Sequence, residues 1–332
     1  MRLNVSGALA RLKIDPYILA LIGTVIVASL IPAHGAATAV FGWATKLAIA
    51  LLFFLHGAKL SREAVVAGIS HWRLHLVVLL ATFALFPILG LLATHLPSQV
   101  LSPTLATGVL FLCCLPSTVQ SSIAFTSIAR GNIAAAVCAA SASNLFGILI
   151  TPILVGLLMQ AKGAGGGGML GSIGAVVVQL LLPFAAGQVA RRWIGGWIER
   201  NKRVMGYVDR GSILLVVYTA FSEAVVQGIW HKVTAFELVK LLLVCAVLLA
   251  IVLAVTAWAA RAMGFSKADE ITIVFCGSKK SLASGVPMAG ILYPPATVGL
   301  LILPLMLFHQ IQLMACAFIA QKYAARPVDV EA

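Results

Sequence analysis

An all-α polytopic membrane protein with ten transmembrane helices is the fold class this sequence predicts, and three observations predict it. First, 61% of the 332 residues are apolar and only 10% are charged, with a mean hydropathy of +1.05. A soluble domain of this length carries far more charge on its surface. Second, the apolar residues gather into ten runs, close to the length that a helix rising ~1.5 Å per residue needs to cross a ~30 Å hydrocarbon core. Third, the lysines and arginines between those runs alternate in density from one loop to the next.

The runs cover residues 17–32, 38–56, 73–95, 104–127, 132–159, 169–190, 211–230, 235–261, 269–292 and 296–321. With the N-terminus placed in the cytoplasm, seventeen lysines and arginines fall on the cytoplasmic side and two, Lys162 and Lys232, fall outside. The remaining four, Lys46, Lys240, Lys279 and Lys280, lie in or at the edge of a run. This asymmetry follows the positive-inside rule and predicts that both termini are cytoplasmic. It also accounts for the net charge of +13 without nucleic acid, because the basic residues are dispersed over short loops. The six cysteines all sit in apolar runs and none forms a Cys-x-x-Cys pair. They read as small reduced packing residues, with no metal site. The start, MRLNVSGALARLKIDPY, has no apolar core before Pro16 and does not read as a cleaved signal peptide.

Residues 162–168, KGAGGGG, form the one low-complexity stretch and read as a flexible linker. They divide the chain into 1–161 and 169–332, with five runs in each part. Five is odd, so the second group must cross the membrane inverted relative to the first, the inverted-repeat plan of many secondary transporters. Runs four and nine, which correspond in that plan, are each broken by a polar stretch: LCCLPSTVQSS around Pro116, and CGSKKS at 276–281. Paired interruptions at matching positions point to a transport site.

In the first break, Pro116 lacks a backbone donor and frees a carbonyl one turn earlier. Ser117, Thr118, Gln120, Ser121 and Ser122 add side-chain polar groups. In the second, Ser278, Lys279, Lys280 and Ser281 fall at membrane depth, where a charge costs about 2.5–3.5 kcal/mol or more. Lysine is a donor only and cannot ligate sodium. It can stand in for a bound cation, contact an anionic substrate, or snorkel to the interface. Adjacent helical residues point about 100° apart, so the two lysines need not share a role. Glu223, the one acid well inside a run, can carry a proton, pair with a lysine of run nine, or sit at a helix end. Asn144 can bond across helices or face the cavity. His309 reads as a buried, hydrogen-bonded histidine, and His71 and His75 read as interfacial. Phosphate-loop, zinc-protease and serine-hydrolase motifs are absent from the sequence, so an enzyme is not expected.

The stretches FALFPILG at 83–90, SSIAFTSIARGNIAAAVCAASASN at 121–144 and FCGSKKSLASGVPMA at 275–289 resemble the bile acid:sodium symporter family (solute carrier family 10). The SKKSLASG form is similar to the divergent branch that includes the seventh vertebrate member and its bacterial relatives. The resemblance implies a panel domain and a core domain, with helices four and nine crossing at the core. In sodium-coupled members the ninth helix carries Glu-x-Gly-x-Gln-Asn. Laid on this chain, the Glu, Gln and Asn fall on Phe275, Lys279 and Lys280. The third-helix glutamine of one sodium site falls on Thr82, and the fifth-helix hydroxyls of the other fall on Ala136 and Ala140. Most expected sodium ligands are thus replaced, with Ser121 and Ser122 the positions where residual sodium binding remains open.

The sequence is therefore read as a secondary active transporter of a bacterial inner membrane. It moves a small or amphipathic organic anion by alternating access, with weakened or absent sodium coupling and no other cofactor. The site residues are Ser117, Thr118, Ser121, Ser122, Asn144, Glu223, Ser278, Lys279, Lys280 and Ser281. Lys280→Ala is expected to abolish transport and leave a folded protein. The rival reading is a non-transporting sensor or regulator on the same scaffold. The bilayer and the anion are the expected partners, and apolar faces permit a homodimer.

Overall fold

The computed structural model describes residues 16–59, 71–159, 174, 177–226, 228 and 233–326, and there the apolar runs are largely helical, with runs four and nine each interrupted. The glycine-rich run 162–168 lies outside the described residues. In chain order the helices are α1 (Pro16–Leu30), α2 (Ala36–Lys59) and α3 (Trp72–Thr94), which contains a π segment at Ala81–Leu85. Run four is split into α4 (Pro103–Cys113) and α5 (Gln120–Ile128), and run five is α6 (Ile133–Met159). Then follow α7 (Leu182–Arg200), α8 (Lys202–Val226) and α9 (Ala235–Ala262). Run nine is split into α10 (Lys267–Gly277) and α11 (Leu282–Leu292), and α12 (Pro295–Ala324) ends the bundle. Six of these helices are long and apolar enough to cross a membrane.

Local chemistry sets the helix starts. Pro103 and Pro295 occupy first-turn positions whose N–H needs no partner. Thr234 and Glu237 form a capping box on α9, and the Ser266 and Ser281 hydroxyls cap α10 and α11. One expected boundary is corrected. The apolar count ends run six at 190 and resumes at 211, yet helix continues to Arg200 and restarts at Lys202. Charges stop an apolar run without stopping backbone hydrogen bonds. Arg191 donates to the Ala58 carbonyl at 2.9 Å, and Arg192 stacks 3.7 Å from the Trp193 ring centre.

Much of the surface is apolar, while two charged side chains lie fully inside. Leu30, Phe236 and Trp258 are 76%, 70% and 70% exposed, while Lys279 and Lys280 are wholly buried. That is the pattern of a polytopic membrane protein. Helices α1, α2, α7 and α8 pack on one another, with α8 also reaching α11 and α12. The α2–α7 contact is close because two glycines face backbone. A Cβ on Gly57 would meet the Phe184 carbonyl, and one on Gly187 would meet the Phe54 carbonyl, the small-residue device for bringing membrane helices together. Away from this layer, α4 packs on α3 and α12, and α9 packs on α10 and α12. One end of α10 is pinned by Glu270, which accepts from Arg261, Lys267 and Tyr323 at 2.8–3.1 Å.

Candidate functional site

The two breaks, at 114–119 and 278–281, lie against each other, and nearly every backbone group they free can be followed to a partner. Pro116 cannot donate, and the Ser117 N–H turns away from the helix to the Ser143 hydroxyl at 3.0 Å. Of the carbonyls left open, that of Cys114 accepts from the Thr151 hydroxyl at 2.8 Å and that of Ser117 from the Asn144 amide at 2.6 Å. The Pro116 carbonyl accepts from the Ser281 N–H at 2.9 Å across the crossing. In return, the Ser117 hydroxyl donates to the Cys276 carbonyl at 2.6 Å and the Ser122 hydroxyl to that of Phe275 at 3.1 Å. Each break thus satisfies the other.

The last two open carbonyls of the first break, Cys113 and Leu115, accept from the Lys280 ammonium at 2.8 and 2.6 Å. Its third N–H reaches the Thr82 carbonyl at 2.9 Å. That carbonyl is open for a reason visible in the chain. Within the π segment the Phe86 N–H bonds to the Ala81 carbonyl, five residues back. The next residue, Pro87, would serve Thr82 but has no N–H. The Phe86 ring covers the ammonium, its centre 4.1 Å away. Lysine has three N–H groups, and here all three are met. Hydrogen bonds to a charged group contribute about 1.5–3 kcal/mol each, so three of them offset the cost of about 2.5–3.5 kcal/mol for a charge at membrane depth. The peptide of Lys280 is held as well. Gln312, buried on α12, accepts from its N–H at 2.9 Å and donates to its carbonyl at 3.0 Å.

Lys279 points elsewhere. Its ammonium donates to the Ser121 carbonyl at 3.3 Å and faces the rings of Phe125 and Phe275, at 4.1 and 5.0 Å.

The ten residues picked from the sequence separate into groups. Ser117, Ser122, Asn144, Lys279, Lys280 and Ser281 meet at the crossing through the bonds above. Thr118 and Ser121 share a hydrogen bond of 2.6 Å beside it. Ser278 is buried there. Glu223 is half-buried on α8 and is not among the partners of either ammonium. Asn144 lies where its bonds and the cleft meet. It bonds across helices to Ser117 and accepts from the Ser284 hydroxyl at 2.8 Å, and it also lines a cleft. That cleft, of about 90 Å³, lies between Phe53, His56 and Phe184 on one wall and Val119, Ser141, Asn144, Leu145, Ile148 and Ser284 on the other. Neither lysine lines it. Direct contact between a lysine and a solute in the cleft is therefore not what this conformation provides, because both ammoniums turn to carbonyls and rings instead. His309 is half-buried and its Nδ1 lies 2.9 Å from the Gln312 amide nitrogen.

Gln312, Ser143, Thr151, Ser284 and the ring of Phe86 escaped the sequence reading. Each has a signal in hindsight, being a polar or aromatic residue inside an otherwise apolar run, but many such residues do nothing at a site. His56 also escaped. Its Nδ1 lies 2.8 Å from the Leu52 carbonyl, one turn from the Lys59–Asp209 ion pair.

Comparison with known proteins gives the lineage of the chain. Residues 15–325 match the SBF-like CPA transporter family. A protein of Escherichia coli strain K12 named "Putative symporter YfeH" is 57% identical, over 96% of each chain. An uncharacterised protein of Pseudomonas aeruginosa, PA2026, is 59% identical over 96% of this chain and 95% of its own. Sodium/bile acid cotransporter 7 of the mouse is 30% identical over 81% of this chain and 79% of its own. The chain is a multi-pass membrane protein of a transporter lineage, and no enzyme family is indicated.

Proposed function

Because the chain belongs to the SBF-like CPA transporter family, we propose that it is a secondary carrier that moves a small or amphipathic organic anion by alternating access, without sodium as the coupling ion. One observation carries this reading. Three backbone carbonyls converge on the Lys280 ammonium, as freed carbonyls at a broken helix converge on a coupling cation. Here the cation is covalently attached and cannot dissociate.

The cleft supplies the solute site. The first turns of α5 and α11 border it at Val119 and Ser284, and the partial positive charge of helix N-termini favours an anionic head there. The Ser141 hydroxyl gives it a hydrogen bond. Phe53, Leu145, Ile148 and Phe184 accept an apolar body. Helices α1, α2, α7 and α8 form the panel and the remaining helices the core, and the cleft opens to each side in turn as the core slides. The two halves, 1–161 and 169–332, are inverted repeats joined by 162–168. Both termini face the cytoplasm of a bacterial cell.

The name of the vertebrate relatives suggests where to begin. A thermal-shift screen of organic anions, starting with taurocholate and short dicarboxylates, is expected to identify a stabilising solute. Uptake of that solute into proteoliposomes should then run equally fast in sodium and in choline. A sodium-dependent rate would overturn the built-in cation. A protein that binds the solute but gives no flux would favour the sensor.

A further inference from the structure

The two neighbouring ammoniums are satisfied very unequally. That of Lys280 has an oxygen within 2.9 Å for each of its three N–H groups. That of Lys279 has one oxygen, at 3.3 Å, and two ring faces, although its side chain is equally buried. A buried charge short of acceptors is the unfavourable form, and such a group sheds its charge more readily than a fully bonded one. As a neutral amine, Lys279 would need fewer acceptors and would offer a lone pair.

The groups that face Lys279 do not compensate its charge. From α10 comes the thiol of Cys276, and from α12 that of Cys316. Tyr323, also on α12, lies behind the Phe275 ring. From α5 come Ser121 and Phe125, and the next residue in the chain is the second cation, Lys280. Among the described residues no carboxylate pairs with it. The ion pairs found there involve Asp209, Glu199 and Glu270, each with another base.

We propose that Lys279 is the proton-coupling group of the carrier and that Lys280 is the permanent cation. Lys279 loses H⁺ to water in one half of the cycle, leaving its nitrogen with a lone pair, and regains H⁺ from water in the other. Lys280 keeps its proton throughout. Ser121 is half-buried and bonded to Thr118, with Val119 of the cleft wall between them in the chain, so the exchange route leads toward the solute. A monoanion crossing with this proton transfers no net charge. The coupling role rests on the carrier reading, but the protonation change can be measured without any flux.

The full-length protein, labelled with ¹⁵N at the lysine ζ position and held in detergent micelles, is followed by NMR from pH 6 to 9. One nitrogen signal is expected to move between ammonium and amine positions over this range. It should be absent from Lys279→Arg and present in Lys280→Arg. No moving signal, or one lost from Lys280→Arg and kept in Lys279→Arg, would overturn the assignment. Should Lys279→Arg fail to fold, Phe125→Leu removes a ring face from Lys279 and leaves the contacts of Lys280 intact. It must shift the pH midpoint of the signal, and an unmoved midpoint also overturns the proposal. A titrating Lys279 in a protein that carries no solute would overturn its use in coupling.

Discussion

Cutting Lys280 back to its Cβ would leave the carbonyls of Thr82, Cys113 and Leu115 aimed at one another with no donor between them. Each unsatisfied buried group costs about 1–3 kcal/mol, so Lys280→Ala should lower the thermal midpoint as well as stop transport. The variant is still expected to fold, with a lower thermal midpoint than the wild type. The same geometry predicts a rescue. Three oxygens around a vacated ammonium are suitable donors for an alkali cation. Thermal midpoints in sodium chloride against choline chloride should coincide for the wild type and separate for Lys280→Ala, with sodium the higher. Coincident midpoints in the variant would mean that the carbonyls do not form an ion site. Gln312 belongs at this scale too. It restrains the Lys280 peptide from both sides, and nothing in the run LMLFHQIQLMACAF distinguishes it from its neighbour Gln310. Its importance depends on a partner 32 positions away in the chain, which no local pattern encodes.

At the level of elements, the interruption of run four by Pro116 and of run nine by SKKS was legible, because a proline among serines, or two adjacent charges, cannot continue a lipid-facing helix without loss. The π segment of α3 was not, since FALFPILG reads as a plain apolar helix with one proline. Its effect is nonetheless local and testable. Pro87→Ala restores an N–H that can close the ladder onto Thr82. Removing a proline from a helix interior stabilises it by up to ~3 kcal/mol, while the ammonium loses an acceptor. The expected outcome is an equal or higher thermal midpoint together with slower transport. A variant that transports at the wild-type rate would separate the π segment from function. The α2–α7 contact predicts the opposite kind of result. Gly187→Ala sets a methyl group against the Phe54 carbonyl, and overpacking of this kind costs about 1–3 kcal/mol. Its thermal midpoint should fall while the breaks keep their bonds. A midpoint equal to that of the wild type would show that the two helices can part freely.

For the whole molecule, the distribution of lysine and arginine predicts an orientation that the packed helices alone do not carry. Alkaline phosphatase fused after Ser98, in the link between α3 and α4, should be active outside the cytoplasm. A green fluorescent protein fused to the C-terminus should fluoresce inside the cell. The reverse pair of results would turn the carrier over in the membrane. Glu270, with its three donors, joins α9, α10 and α12 into one body at the predicted cytoplasmic end, so in the proposed cycle the second break would travel with its neighbours. This has an electrical consequence. A bound ion is released once per turnover and delivers work from its gradient. In the proposed cycle the ammonium of Lys280 would instead go out and back with the moving body and deliver none. Yet moving one elementary charge through the full membrane potential is worth about 2.3 kcal/mol per 100 mV. Voltage steps should therefore draw a brief capacitive current from the protein, equal and opposite on return, even when no solute is present.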